Sequence, residues 1–265
     1  MSVERGQLGP LPCLMFGTGV PLVALGGLNL TTGVDGGGVP RMARSLLGPL
    51  AGVRRIVFVN RRRGLPPGMT MAELAGEHAD GIRDAFAGAV DVFGISTGGS
   101  IAQQLAAEHP DVVRRLVLVS TACRLGDTAR LLQRRVAARL RRGATRKAMA
   151  VMGAGLAPPG RPQLVAGVLG WLSAPRLAGD PQDMADLATT IEAEDDFDLA
   201  RCATAIRAPT LIVAGSEDRF YSRGLFEETA ALIPGSRLSL HEGRGHMTVT
   251  SSPRFANEII SFIDF

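Results

Sequence analysis

Residues 94–99 read GISTGG, between the apolar run AVDVF (89–93) and the helical pattern SIAQQLAAEHP (100–110). A serine set among glycines at such a junction has two readings. With 33 Gly in 265 residues, the stretch can be loop filler. Alternatively, a strand turns sharply into a helix and lifts the serine side chain off the end of a sheet. That turn crowds the backbone two positions before and two positions after the serine, where glycine fits best. Gly94 and Gly98 occupy those positions, and Gly99 gives the helix further room to approach the strand. The positive end of a helix starting beside Ser96 also favours negative charge there.

The flanking chain favours the turn. Short apolar runs bounded by Gly, Pro or charge recur at PLVAL (21–25), RIVFV (55–59), VDVFG (90–94), LVLVS (116–120), TLIVAG (210–215) and RLSL (237–240). Several are apolar and β-branched on successive residues, as strands covered on both faces require. Helical patterns lie between them: MARSLLGPL (42–50), MAELAGEHADGIRDAFAG (71–88), SIAQQLAAEHP, RGLFEETAALIP (223–234) and PRFANEIISFIDF (253–265). The alternation predicts an α/β fold with a mostly parallel, doubly wound sheet. It breaks between LVLVS and TLIVAG. Residues 125–198 hold helical segments DTARLLQRRVAARLRR (127–142), PQLVAGVLGWLS (162–173) and PQDMADLATTIEAEDD (181–196). Gly/Pro stretches GAGLAPPGRP (153–162) and APRLAGDP (174–181) are expected to separate them. The expectation is one domain over 1–265 with a helical insertion at 125–198, too long for a plain loop and too short to stand alone. Gly36–Gly38 is expected to be a loop, since neither a Walker Lys-Ser/Thr nor GxGxxG spacing accompanies it.

At 46% hydrophobic, the chain can bury a substantial core. A net charge of +4 is too small to call for a nucleic-acid partner. Cys13, Cys123 and Cys202 are far apart and without metal-ligand spacing, which argues against a disulfide framework or zinc site and for a reducing compartment. The opening MSVERGQLGPLPCLMFG has no basic segment leading into a long apolar run. The expectation is a soluble, cytoplasmic protein without stable membrane insertion.

A serine hydroxyl is a poor nucleophile without a base, and the base needs a group to orient it. Of the four histidines, His78 lies inside a helical run and His109 precedes Pro110 at a helix end; both are expected at the surface or in a cap. His241 ends a short strand. His246, in HEGRGHMTV (241–249), follows the last strand, with Gly243 and Gly245 placed to form a turn presenting it. An ordinary loop histidine is the alternative. LIVAGSEDRFY (211–221) carries Glu217 and Asp218 to the same sheet edge, with room before His246 for one helix and one strand. The order serine, acid, histidine brings three loops to the C-terminal ends of neighbouring strands, where open α/β sheets place their sites.

On these residues the chain resembles the α/β-hydrolase superfamily over nearly its whole length. ALGGLN (24–29) resembles the family's loop after strand three, GISTGGSIA (94–102) its nucleophile elbow and HPDVVRRLVLVST (109–121) the helix end and strand six that follow. APTLIVAGSEDRF (208–220) resembles its acid turn and GRGHMTV (243–249) its histidine loop. The resemblance implies about eight strands, a helical cap at 125–198, and a serine hydrolase in which Ser96 is the nucleophile and His246 the base. It selects Asp218 over Glu217 as the acid, with Asp127 as the alternative because some members take their acid from the loop after strand six. It also implies an oxyanion hole from the backbone N–H groups of Thr97 and Leu28, with Asn29 as a further contact. The family's common His-Gly pair is Gly26-Gly27 here, which leaves a backbone donor in place.

No metal or organic cofactor is implied, and the expected partner is a small-molecule acyl substrate. Serine at position 96 argues against the epoxide hydrolase and haloalkane dehalogenase branches. Esterase, lactonase, thioesterase, amidase, carbon–carbon bond hydrolase and perhydrolase chemistry remain open. So do acyl transfer or cyclisation on this scaffold, and a ligand receptor that keeps the three residues.

Around Met149, Met152, Leu156, Leu164, Val168, Trp171 and Leu172 the insertion is apolar enough to line an acyl pocket or to form its own core. Residues 130–147 carry seven Arg and one Lys. Arg135, Arg139, Arg142 and Arg146 recur at helical spacing beside Leu132, Val136 and Leu140. The expectation is a solvated face balanced by EAEDDFD (192–198), the alternative a surface for membranes or acidic partners.

Overall fold

The computed structural model describes residues 2–36, 38–157, 161–201 and 206–264. The apolar runs become strands of an eight-stranded sheet in the order β1-β2-β4-β3-β5-β6-β7-β8. The strands are β1 Glu4–Leu8, β2 Leu11–Gly17, β3 Val20–Leu25, β4 Arg54–Val59, β5 Val90–Ile95, β6 Val113–Val119, β7 Thr210–Gly215 and β8 Arg237–His241. β2 runs antiparallel to β1 and β4, and every pairing from β4 to β8 is parallel. Neighbouring residues of one strand serve opposite faces. Val92 packs with α2 (Met71–Ala85), α3 (Thr97–Glu108) and α8 (Arg223–Leu232). Phe93 packs with α1 (Val39–Leu47) and α9 (Phe255–Ile263). Burying each large aliphatic side chain stabilises the fold by about 1.5–3 kcal/mol, so unbroken apolar runs are what a doubly covered strand needs.

β1 and β2 have no counterpart among the strands expected from sequence. β1 is an edge strand with mostly exposed residues, and β2 contains Pro12, which weakens a strand signal. Pro12 sits opposite Gln7, and its carbonyl accepts the Asn60 N–H at 3.2 Å. From β4 the chain crosses over to the other side of β3 to enter β5. The crevice between the C-terminal ends of β3 and β5 is therefore the switch point where such sheets bind ligands.

Between β6 and β7 lie four helices: α4 Asp127–Arg141, α5 Thr145–Leu156, α6 Arg161–Leu177 and α7 Pro181–Asp195. Val136 and Leu140 of α4, Ala148 of α5 and Met184, Leu187 and Ile191 of α7 share a core, and α6 packs along α5. A helix boundary falls within each of the two Gly/Pro stretches, as expected: α5 ends at Leu156 in the first and α6 at Leu177 in the second, although helix runs into both. A Cβ on Gly153 would lie 2.6 Å from the Ala166 carbonyl oxygen, and one on Gly155 would collide with the Leu132 side chain. These glycines therefore permit close helix packing, and Pro175 sits within the last turn of α6. Residues 158–160 of the first stretch, Gly37 and Cys202 lie outside the described residues. Cys13 and Cys123 are free and buried.

The arginine-rich helix is partly neutralised by α7. Arg134 pairs with Asp195 at 2.6 Å and Arg141 with Glu192 at 2.5 Å. Arg146 lies over the Trp171 ring, 4.7 Å from its centre. Among the described residues, no helix is long and apolar enough to cross a membrane.

Candidate active site

Ser96 caps α3 with φ 52° and ψ −127°, a left-handed conformation that costs a non-glycine residue about 1–3 kcal/mol. The turn is held from both sides. The Ser96 N–H donates to the Val119 carbonyl at 3.0 Å, and its own carbonyl accepts from the N–H of Gly99 at 2.7 Å. The surrounding glycines give steric clearance. A Cβ on Gly94 would lie 2.7 Å from the Gly98 carbonyl oxygen. On Gly98 it would collide with the carbonyl oxygens of Leu25 and Gly26, and on Gly99 with the Thr121 side chain.

Three loops converge on Ser96. His246 Nε2 lies 3.1 Å from Ser96 Oγ, and His246 Nδ1 lies 2.8 Å from Asp218 Oδ2. The second Asp218 oxygen accepts the backbone N–H groups of Phe220 at 2.8 Å and Tyr221 at 3.2 Å. The Asp218 carboxylate is wholly buried and the imidazole nearly so. The acid and histidine loops are tied together, Glu217 N–H donating to the Arg244 carbonyl at 2.8 Å and Gly243 N–H to Ser216 Oγ at 3.0 Å. A carboxylate fixed by two amides, bonded to an imidazole that faces a hydroxyl, can hold one tautomer and move the hydroxyl proton.

Among the described residues, Ser96 and Ser120 are the non-glycine positions with positive φ, 52° and 47°. Both grip His246. Ser96 meets its ring, and Ser120 Oγ donates to its backbone carbonyl at 2.9 Å. Nothing in the sequence around Ser120 signals this role beyond its place at a strand end.

The other candidates lie elsewhere. Glu217 is exposed, and Asp127 is exposed in the first turn of α4. His109 forms the C-cap of α3 as expected. His241 bonds Glu258 at 3.0 Å. His78 departs from the surface placement expected of it. It is buried with Nδ1 2.7 Å from the Leu74 carbonyl, and burial lowers its pKa to about 4. Its helix turns that face against the sheet, so an isolated polar residue in the pattern follows the apolar ones inward.

The N–H groups of Thr97 and Leu28 have no acceptor among the described residues. Gly27 backs onto the serine: a Cβ there would lie 3.3 Å from Ser96 Cβ. At Gly26 a Cβ would lie 2.8 Å from Phe58 Cζ, so the phenyl ring fills the space that a histidine would need to enter. Asn29 turns its amide into the loop, donating to the Gly27 carbonyl and to Asn60 Oδ1, both at 3.3 Å. Arg61 donates to the Asn29 carbonyl at 2.7 Å. Of the apolar candidates, Met149 is buried on α5, next in sequence to Ala148 of the insertion's core. Met152 and Leu28 both pack against that core, whereas Trp171 and Leu172 are exposed on α6. Among the described residues, no group of three or more His, Cys, Asp or Glu is arranged to hold a metal ion.

One residue at the site has no place in the sequence argument. Glu194, in the acidic stretch expected at the surface, is fully buried. Its carboxyl accepts from Thr97 Oγ1 at 2.7 Å, Ser100 Oγ at 2.9 Å, Gln133 Nε2 at 3.1 Å and the Tyr221 hydroxyl at 3.2 Å. Burial pushes its pKa up against these four hydrogen bonds, and burial likewise holds the Tyr221 phenol well above its ordinary value. Its only sequence signal is the spacing of Asp183, Asp186, Thr190 and Glu194, which places a polar row along one face of α7.

Comparison with known proteins agrees with this architecture. The model of the "Alpha/beta hydrolase family" matches residues 32–258. The chain is 31% identical over 189 residues to the polyketide synthase ThaQ of Burkholderia thailandensis, covering 67% of this chain and 9% of that protein. It therefore spans only a small part of that relative's length. The enol-lactonase of Burkholderia xenovorans LB400 superposes with a TM-score of 0.77 at 20% identity, covering 99% of this chain and 100% of the other. A thermophilic esterase from Thermogutta terrifontis superposes with a TM-score of 0.73 at 22% identity, covering 100% and 98%. By its sheet order, its strained serine turn and the extent of the family match, this chain belongs to the alpha/beta hydrolase family.

Proposed function

We propose that the protein is a serine hydrolase that cleaves a carboxylic ester or related acyl bond through a covalent acyl-enzyme. The observation that carries this reading is the unbroken hydrogen-bonded chain Ser96–His246–Asp218 at the C-terminal edge of the sheet. Ser96 Oγ attacks the acyl carbonyl as His246 Nε2 takes its proton, and Asp218 stabilises the imidazolium that forms. The N–H groups of Thr97 and Leu28 stabilise the oxyanion, a single such donor being worth a factor of about 10²–10³. His246 then protonates the leaving group. A water activated by the same imidazole releases the acid and restores Ser96.

The four-helix insertion acts as a cap, with Met152, which packs on the same core as Leu28, as a candidate for an acyl contact. Likeness to part of a polyketide synthase favours substrates from the acyl chains that such synthases build, delivered as esters or thioesters. The test is a panel of p-nitrophenyl esters and acyl thioesters of graded chain length, followed in the pre-steady state. A burst of one leaving group per chain, lost in Ser96→Ala, supports the reading. Tight binding of the same compounds without turnover would instead assign a binding module.

A further inference from the structure

The geometry points to Glu194 as the positioning residue of the oxyanion hole, through which the four-helix insertion sets the alignment of the serine and acid loops. The inference rests on the serine-hydrolase reading above. It starts from a buried carboxylate whose partners all belong to other elements. Oε2 accepts from Thr97 Oγ1 and from Gln133 of α4, and Oε1 accepts from Ser100 Oγ and the Tyr221 hydroxyl. Thr97 supplies an oxyanion N–H. Tyr221 supplies one of the two amides that hold Asp218. Glu194 thus lies one hydrogen bond from the nucleophile's helix turn and two from the acid.

The same face of α7 reaches the rest of the site's rim. Asp183 Oδ1 accepts the Thr32 N–H at 2.8 Å, on the loop that carries Leu28. Asp186, fully buried, accepts the N–H groups of Gly64 and Leu65, both at 2.9 Å. One polar row therefore braces the oxyanion loop at one end and the elbow with the acid turn at the other. The adjoining face of α7 carries Met184, Leu187, Ala188 and Ile191 into the insertion's own core. Static contacts thus link that core to the Thr97 side of the hole and to the loop that carries Leu28.

Glu194 does not touch the reacting atoms. With four donors on two oxygens, its acceptor sites are filled, so it acts by holding Thr97 and Tyr221 in place. Small displacements matter here, because about 1 Å of misplacement can cost about 10² in rate.

The test compares Glu194→Ala, Glu194→Gln and Thr97→Val with the parent. Glutamine has the same shape, and its amide can donate to hydroxyls that turn to accept. Valine removes only the Thr97 hydroxyl and leaves its backbone N–H. The expected result is a fall in kcat of about 10–100-fold in Glu194→Ala, with KM within about twofold of the parent. Thr97→Val falls to a similar level, the double variant loses nothing further, and Glu194→Gln recovers most of the rate. Amide hydrogen exchange is followed in the same proteins. In Glu194→Ala it should quicken in peptides 96–102 and 218–222 together, a readout that does not depend on turnover. Melting temperatures identify variants that fail to fold, and Thr97→Val and Glu194→Gln then carry the comparison. A kcat per folded molecule within threefold of the parent in Glu194→Ala and Thr97→Val would overturn the assignment. Unchanged exchange in the acid turn of Glu194→Ala would overturn it equally. Absence of turnover in the parent would count against the hydrolase reading alone, since exchange would still decide the coupling.

Discussion

Replacing Asp218 by asparagine isolates what the buried carboxylate does for His246. One Asp218 oxygen accepts two backbone N–H groups, from Phe220 at 2.8 Å and Tyr221 at 3.2 Å, while the other faces His246 Nδ1 at 2.8 Å. Asparagine in that cradle has only one stable orientation. Its oxygen must face the two amides, because its NH₂ there would set donor against donor. The NH₂ is thereby forced onto His246 Nδ1, which must accept. The imidazole proton then sits on Nε2 and points at Ser96 Oγ, so the ring cannot take the serine proton. A tautomer fixed the wrong way is worth about 10⁴ in kcat, or about 5.4 kcal/mol of barrier. The cradle amides keep their acceptor, so the fold should be retained. The assay is steady-state hydrolysis of a p-nitrophenyl ester beside thermal denaturation, with Asp127→Asn as the companion. That side chain is exposed in the first turn of α4, and its replacement should leave kcat within twofold. If Asp218→Asn kept more than a tenth of the parent rate, or Asp127→Asn lost it, the placement of the acid would be wrong.

Other consequences are equally open to measurement. Gly98→Ala drives a Cβ into the carbonyl oxygens of Leu25 and Gly26, which are backbone atoms with nowhere to go. It should destabilise the protein by about 1–3 kcal/mol in urea denaturation and slow acylation of Ser96 severely. His78 is held neutral, with its folded pKa lowered to about 4 from 6.5. The unfolded chain therefore binds the extra proton first, and stability is full above pH 6.5 and falls as pH drops toward 4. Between pH 7 and pH 5 the parent should lose about 2 kcal/mol through this group, a loss absent from His78→Gln. Asp91 is fully buried at the far end of β5 and pairs with Arg114 at 2.7 Å and Arg54 at 3.4 Å. Asp91→Ala removes the shared carboxylate, but Arg54 keeps Asp264 at 2.7 Å and Arg114 reaches solvent, so the cost by denaturation should be about 1–3 kcal/mol, with turnover per folded molecule unchanged.

What was legible in the sequence follows from how local each constraint is. The GISTGG turn could be read because its steric demand falls on residues two positions away, and those residues are glycine. The core strands could be read because burial on both faces forces unbroken apolar runs. β1 and β2 were not legible: an exposed edge strand and a strand containing Pro12 lack that pattern. Gly153 and Gly155 read locally as helix breakers, but close packing of α5 on α6 and α4 holds them within a helix, while Pro175 stands in the last turn of α6. Glu194 and His78 show the same limit for polar residues. An acid in the run EAEDD looks solvated until four donors from three separate elements close around it. The grip of Ser120 on the His246 backbone depends likewise on loops 126 residues apart in sequence.

The most direct test of the account is where a fluorophosphonate reacts. Intact mass and peptide mapping of the treated protein should give one phosphonyl group per chain, on Ser96 in the peptide that spans GISTGG. The adduct should be absent from Ser96→Ala and form at least about 10²-fold more slowly in His246→Ala. An adduct on a different residue, or a folded parent protein that stays unlabelled, would contradict the claim that His246 and Asp218 make Ser96 a nucleophile.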